Sequence, residues 1–257
     1  MTRWTAFAHL GDFPFDAGAV KQQWEGLHRG DVEPLPKDPA VLEAWALFHA
    51  GEFQKAKLAG LAAAGAGLHV ANKATCVYAN YLEKKEKTRL DLFLEVAARA
   101  EALCATAPAN ANAWYWQAYA LGRYSQGISV AKALAQGLGS KIRQALENTI
   151  RLQPRHADAH IALGAFHAEV IDKVGPLIGG MTYGVKKETG LHMFKRALEL
   201  NPGSPIALME YANGLLMLEG DASMEEATAL YEHAASGQPA DASERLAIEL
   251  ARLELHD

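Results

Sequence analysis

A helix pattern that recurs before a proline is the feature that most constrains this fold. Residues 186–202 read KKETGLHMFKRALELNP, in which Leu191, Phe194 and Leu198 lie three and four positions apart. That spacing forms one stripe of a helix, and Pro202 ends it because proline cannot continue a helix. The same pattern ends at three further prolines, which are Pro108, Pro154 and Pro239. We expect such a chain to stack helix hairpins, since each hairpin buries its apolar face against the next one.

Residue size also repeats in phase with these prolines. Ten positions after a proline the residue is small, which lets two helices approach closely: Ala118, Gly164 and Ala212. Eight positions before a proline the residue is bulky, which fills the space between the helices: Leu146, Phe194 and Tyr231. The repeats predict an all-α fold, built as a right-handed superhelical array of antiparallel helix hairpins.

The residues around these prolines resemble the tetratricopeptide repeat (TPR) family, whose pattern runs from a large residue through Leu and Gly or Ala to Ala, an aromatic, Ala and Pro. The positions that match are Trp114, Ala118, Leu121 and Pro154, then Leu163, Gly164, Phe194, Ala197 and Pro202, then Tyr211, Ala212, Ala227, Tyr231, Ala234 and Pro239. The resemblance covers residues 38–239. It implies a non-catalytic binding or scaffold protein that presents a concave groove to a peptide or protein partner.

The spacing of the prolines departs from this family. They lie 46, 48 and 37 residues apart, whereas a TPR repeat has about 34. The extra residues form insertions at 124–139 and 172–187, which make the chain similar to two helical-repeat families. Resemblance to the T component of tripartite periplasmic (TRAP) transporters implies an oligomer with apolar holes and a binding-protein partner. Resemblance to the regulators of microtubule dynamics implies an adaptor.

The segments before and after the repeats are predicted to cover the two ends of the array. Residues 1–37 form an aromatic strap and a first helix, residues 38–239 form the repeats, and residues 240–257 form a capping helix. One face of that cap carries Leu246, Leu250 and Leu253. We expect this face to be buried and the opposite face to be exposed to solvent.

Composition and charge exclude several classes of protein. The net charge is −5 and the basic residues are scattered, so the electrostatic footprint of a nucleic-acid-binding protein is missing. The chain has no apolar run of the length that spans a membrane, and no signal sequence is recognised. These features predict a cytoplasmic protein, or a periplasmic one if a leader has been removed. Cys76 and Cys104 occur singly in apolar helices, where buried, reduced thiols are expected.

The TPR resemblance implies that the inner surface of the array comes from the first helix of each repeat. In the register set by the prolines, the residues that line it are Tyr115, Tyr119, Arg123, Ile161, Glu169, Met209 and Asn213. Polar members would orient a ligand, and Ile161 and Met209 would supply contact area. Alternatively, the insertions plug this groove, and it binds nothing.

The second insertion carries the apolar residues Leu177, Ile178, Met181 and Tyr183. We expect them to be buried in the groove of their own array or on a neighbouring subunit, which allows a homo-oligomer. A second hypothesis follows from this insertion, namely a transport accessory that holds a small apolar ligand in a hole lined by both insertions.

Catalytic and metal-binding patterns are weak throughout. His156, His160 and His167 lie four and seven apart, which could stack ligands on one helix face, so His160 and His167 are a weak metal candidate. His156, however, is expected to precede its helix. No H-E-x-x-H, G-x-S-x-G or P-loop pattern occurs. We therefore expect no enzyme and no cofactor, and we interpret the acidic pairs Asp31/Glu33 and Glu225/Glu226 as solvated charges.

Overall fold

The computed structural model describes residues 3–256, and within them it contains helices, turns and loops without a β-strand. The predicted strap starts at residue 1 and the predicted cap ends at residue 257, so residues 1, 2 and 257 of those predictions lie outside the described part. The chain forms two compact units. One consists of the residues up to His28, Glu33–Ser129 and Ala240–Ser243, and the other of Arg29–Val32, Val130–Pro239 and the residues from Glu244 onward.

In the first unit, polar residues fix where helices begin. The Asp16 carboxylate accepts the Ala19 N–H at 2.7 Å, and the Asn110 side chain accepts the Ala113 N–H at 3.2 Å. Both bonds satisfy a backbone donor that has no partner inside the helix. The helices are α1 (Ala17–Leu27), α2 (Pro39–His49), α3 (Phe53–Ala63), α4 (Gly67–Val77), which continues into a π-helical turn at Tyr78–Leu82, α5 (Glu86–Thr106) and α6 (Ala111–Gln126).

The aromatic N-terminal segment packs on the hairpin formed by α2 and α3. Phe7 is buried, and its ring lies 6.1 Å from that of Phe53. Gly51 joins the two helices with a φ of +85°, and a Cβ on it would overlap the Phe7 ring. Only glycine suits this position, because it accepts the positive φ and leaves space for the aromatic ring. Trp4 stacks on Tyr78 at 4.0 Å.

In the second unit, the helices are α7 (Val130–Ala135), α8 (Leu138–Leu152), α9 (Ala157–Val174), α10 (Pro176–Tyr183), α11 (Lys187–Leu200), α12 (Pro205–Glu219), a 3-10 turn at Gly220–Ser223, α13 (Met224–Ser236) and α14 (Ala242–Glu254), whose first residues belong to the first unit. The short helices α7 and α10 lie inside the two predicted insertions. Ser204 caps α12 by accepting the Ala207 N–H at 3.2 Å, and Pro205 follows at the first helical position, where the missing N–H costs nothing.

The size pattern of the sequence is confirmed in the packing. Gly164 of α9 lies against the Phe194 ring of α11, so that a Cβ there would be 3.0 Å from two ring carbons. The ring stacks on Tyr211 of α12 at 5.3 Å. The other small and bulky residues of the pattern are buried as well, namely Ala118, Ala212, Leu146 and Tyr231. Small residues therefore set the close approach of helices, and large ones fill the gaps beside them.

The last helix buries Leu246 and packs Leu250 on the core as predicted, but its buried face is centred on other residues. Ala251 joins the core cluster formed by α12 and α13, and Ala247 and Ile248 are also buried. Leu246 and Leu250 lie at the edge of this face, but Leu253 is exposed, so its predicted burial is wrong. Position 253 points away from the face that Ala247, Ile248 and Ala251 bury.

Candidate partner-binding surface

In the first unit, the residues predicted to line the binding surface belong to an aromatic cluster on α6. The Trp116 ring lies 4.9 Å from Tyr115 and 5.7 Å from Tyr119, both edge-on. Tyr115 and Trp116 are buried, whereas Tyr119 and Arg123 are half-buried. The Arg123 guanidinium lies 5.3 Å from the centre of the Tyr119 ring, and its Nη1 donates to the Gln126 side chain at 3.3 Å. Spacing of four residues on one helix brings Tyr115, Tyr119 and Arg123 onto one face.

The nominated residues of the second unit divide into buried and half-buried ones. Ile161 is 4% exposed in the cluster around Phe194, and Met209 is 7% exposed in the cluster of α12 and α13. The sequence predicts contact area with a ligand from these two side chains, but their area is already buried inside the unit. Their place in a binding site stays a prediction.

Glu169 and Asn213 are the half-buried polar pair of this set. A Glu169 carboxylate oxygen lies 3.7 Å from the Lys173 ammonium, and the Asn213 side-chain oxygen accepts the Tyr231 hydroxyl at 2.6 Å. Burial raises the pKa of the Tyr231 hydroxyl above its ordinary value, so Tyr231 stays a donor at neutral pH. This bond fixes the orientation of the Asn213 amide.

His156 before α9, and His160 and His167 within it, each form a hydrogen bond with the backbone. His156 caps the helix by accepting the Ala159 N–H on Nδ1 at 3.1 Å, as its predicted position before the helix implies. The Nε2–H of His160 donates to the Pro154 carbonyl at 3.1 Å, and the Lys186 N–H donates to His167 Nδ1 at 2.9 Å.

Burial lowers the pKa of both His160 and His167 below the ordinary value for imidazole, which keeps the two rings neutral. Within residues 3–256, no group of three or more His, Cys, Asp or Glu side chains is placed to hold a metal ion. The two histidines therefore lack the further ligands that a metal site requires.

Both cysteines are buried, reduced thiols, as predicted. Burial raises the pKa of the Cys104 thiol to about 11 and that of Cys76 further still. Because the thiolate is the reactive form, neither residue is poised as a nucleophile at neutral pH.

The first unit also contains a buried polar cluster that was not predicted from the sequence. The Nδ1–H of His49 donates to the Asp241 carboxylate at 2.6 Å, although the two residues are 192 positions apart. The Nε2 atoms of His49 and His28 lie 3.4 Å apart, and Ser243 donates to the other carboxylate oxygen of Asp241 at 2.8 Å. The hydroxyl thus bonds to the carboxylate and not to an imidazole, which is the wrong order for activating a serine nucleophile. Trp24 stacks on His28 at 4.0 Å and shields the cluster.

The environment of the acidic pair Asp31 and Glu33 also differs from the prediction. Asp31 and Glu33 are buried, so the prediction of solvated charges is wrong for them. The Asn112 amide donates to the Glu33 carboxylate at 2.6 Å, and the Trp24 indole N–H donates to the Glu33 carbonyl at 2.8 Å. These bonds replace water around a buried carboxylate. Glu225 and Glu226 are exposed in the first turn of α13, as predicted.

The second insertion presents its apolar side chains to solvent. Leu177, Ile178 and Met181 of α10 are 75%, 60% and 82% exposed. Their predicted burial within their own chain is therefore wrong. Tyr183 differs, because it is partly buried and its ring lies 6.3 Å from that of Phe166.

Comparison with known proteins identifies the fold. No protein-family model matches the chain, and no curated protein matches its sequence. A solved structure does match, namely the crystal structure of a thermophilic TPR protein in Thermus thermophilus, with 18% identity and a TM-score of 0.58. The match covers 83% of this chain and 97% of that chain. This chain has a TPR-like helical-repeat fold.

The match confirms the predicted fold class, a TPR-like array of helix hairpins. The finer likeness to TRAP T components or to regulators of microtubule dynamics stays a prediction. No helix between residues 3 and 256 is both long and apolar enough to cross a membrane.

Proposed function

We propose that this TPR-like chain is a non-catalytic scaffold that binds a peptide or protein partner, with Tyr119 and Arg123 at the centre of the contact. The observation that carries the proposal is the half-buried Tyr119–Arg123 pair on α6, in which the cation lies over the ring at 5.3 Å. Tyrosine and arginine are enriched among the residues that dominate protein interfaces.

Support from neighbouring rings makes this pair suited to binding. Trp116 packs edge-on against both Tyr115 and Tyr119, and the Tyr115 ring lies tilted at 6.0 Å from Tyr119, so the exposed part of Tyr119 is held in place before a partner arrives. A rigid contact residue loses little conformational entropy on binding, which leaves more of the interaction energy for affinity. The planar guanidinium favours a partner that offers carboxylate or carbonyl oxygens.

Glu169 and Asn213 provide a second proposed contact, in the other unit. Their side chains are half-buried and oriented by Lys173 and Tyr231 respectively. An amide and a carboxylate held in this way can pair with the polar backbone of a peptide. The buried thiols and the histidines bonded to backbone groups support a role in binding more than one in catalysis.

Affinity capture with a paired variant tests the proposal. The immobilised chain is compared with a Tyr119→Ala/Arg123→Ala variant, and captured proteins are quantified by mass spectrometry. The matched control is Lys87→Ala/Asp91→Ala, which removes an exposed ion pair from α5 with side chains 87% and 60% exposed. We expect at least one partner to be retained by the native chain and the control, and lost by the α6 variant. Partners retained equally by all three proteins would refute this site.

A further inference from the structure

We propose that the two insertions form a patch that docks on the surface of an anionic lipid bilayer. The insertion patch consists of Val130 and Leu134 on α7 and of Leu177, Ile178 and Met181 on α10. All five side chains are substantially exposed, and Met181 and Leu177 of α10 are the two most exposed large apolar side chains among residues 3–256. Clustered exposure on this scale marks an interaction site, because solvent contact with apolar area is unfavourable.

The exposure on α10 does not arise from loose packing of the helix. Gly179 is buried, and a Cβ on it would meet the side chains of Val185 and Val170 within 3.0 Å. At the C-terminal end, Arg143 Nη1 donates to the Tyr183 carbonyl. The underside of α10 is therefore fixed to its own unit, and the opposite face is directed outward by that attachment.

The first insertion meets the second one at this base. A Cβ on Gly139, just after the start of α8, would lie 2.6 Å from the Tyr183 ring. On α7, Val130 and Leu134 are one helical turn apart and both exposed. The two insertions thus meet at Gly139 and Tyr183, and each carries exposed apolar side chains on a short helix.

The charge around the patch favours an anionic partner. The two insertions contain four lysines and one aspartate, whereas the whole chain has 25 Lys and Arg against 30 Asp and Glu. Lys173 precedes α10, and Lys186 and Lys187 follow it. Lys173 pairs with Glu169 at 3.7 Å and Lys187 with Glu219 at 3.2 Å. The side chains of Lys173 and Lys187 are 39% and 43% exposed, so their ammonium groups can also contact lipid phosphates.

A bilayer surface fits this combination of shape and charge. Aliphatic side chains that project from a short helix can enter the boundary between headgroups and acyl chains, while flanking lysines bind anionic headgroups. Tyr183 lies at the end of the same helix, and tyrosine is favoured at this boundary. The docking is peripheral, because α7 and α10 are too short to span the hydrocarbon core.

Vesicle co-sedimentation tests the proposal. The full chain is mixed with phosphatidylcholine vesicles, with or without about one third phosphatidylserine. The test variant is Leu177→Ser/Met181→Ser, and the matched control is Met224→Ser/Leu253→Ser, which removes two apolar side chains that are 49% and 62% exposed elsewhere. We expect the native chain and the control to bind the anionic vesicles, and the test variant to bind at least about tenfold less.

A charge variant distinguishes electrostatic attraction to the lipid headgroups from nonspecific hydrophobic adsorption to vesicles. Lys186→Gln/Lys187→Gln should also weaken binding to anionic vesicles, and added salt should weaken binding of the native chain. No sedimentation of the native chain, or equal binding to neutral and anionic vesicles, would overturn the proposal. A concentration-dependent dimer that is lost in Leu177→Ser/Met181→Ser, without vesicle binding, would assign the patch to a second copy of the chain and overturn it as well. Circular dichroism confirms that each variant keeps its helix content.

Discussion

Substituting alanine at Gly214 tests whether Phe194 sets the distance between helices in the second unit. Gly214 lies in α12, and a Cβ there would overlap Cε2 of the Phe194 ring and lie 2.6 Å from its Cζ. The ring has little freedom to move away, because Gly164 contacts its other side and Tyr211 stacks on it at 5.3 Å.

Two opposing effects determine the expected free energy change. Alanine favours a helix interior over glycine by about 1 kcal/mol. Adding a methyl group to a filled core costs about 1–3 kcal/mol. Since Phe194 is enclosed, we expect the steric cost to win and Gly214→Ala to lower the free energy of unfolding by about 1–2 kcal/mol. Gly122 in α6 is the control, because a Cβ there would meet nothing within 4 Å, so Gly122→Ala should stabilise by about 0.5–1 kcal/mol.

Urea denaturation followed by circular dichroism measures these changes, and a double-mutant cycle identifies their cause. In a Phe194→Leu background the ring is gone, so Gly214→Ala should become neutral or stabilising. The coupling between the two substitutions should be about 1–2 kcal/mol. If Gly214→Ala stabilises the chain as much as Gly122→Ala, or if the two effects simply add, the interpretation of Phe194 as a spacer is refuted.

Three further predictions follow from buried groups. Asp241→Ala should lower the free energy of unfolding by about 1–3 kcal/mol in urea denaturation, because it leaves the buried Nδ1–H of His49 without its acceptor; an unchanged free energy of unfolding would contradict this. Burial lowers the pKa of His160 and His167 below 6.5, so the unfolded chain binds more protons than the folded one as the pH falls through 6.5, and stability should decrease there. The melting temperature of a His160→Gln/His167→Gln variant should depend less on pH between 5 and 7 than that of the native chain. Cys76 and Cys104 should react with a thiol reagent only on unfolding, and fast labelling of the folded chain at neutral pH would contradict their burial.

The sequence predicted the features of the fold that depend on local repetition. Helix stripes, terminating prolines and small residues such as Gly164 recur at fixed offsets, because each hairpin meets the same packing problem as the one before it. The His49–Asp241 pair has no such period, since it joins residues 192 positions apart. The burial of Glu33 depends likewise on Asn112, which is 79 positions away. Neither contact leaves a pattern in a single sequence.

The candidate surface was predictable only in part, for the same reason. The repeat register places Tyr119 on one face of α6 together with Arg123, and the structure shows both half-buried. The register cannot tell how deeply a position is buried by neighbouring helices, and Ile161 lies in a core cluster where contact area for a ligand was expected. Burial depends on tertiary packing, which periodicity alone does not specify.

The exposure of α10 follows from the packing of the hairpin that contains it. Helices α9 and α11 pack directly on each other, with the Phe194 ring filling the space beside Gly164. Because this interface is already closed, the inserted helix α10 packs on the hairpin through its underside, at Gly179. Apolar residues such as Met181 then gain nothing from the hairpin and, within residues 3–256, are left facing solvent. Serine at positions 177 and 181 should therefore leave the free energy of unfolding within about 0.5 kcal/mol of the native value, so that any loss of vesicle binding reports on the patch and not on the fold.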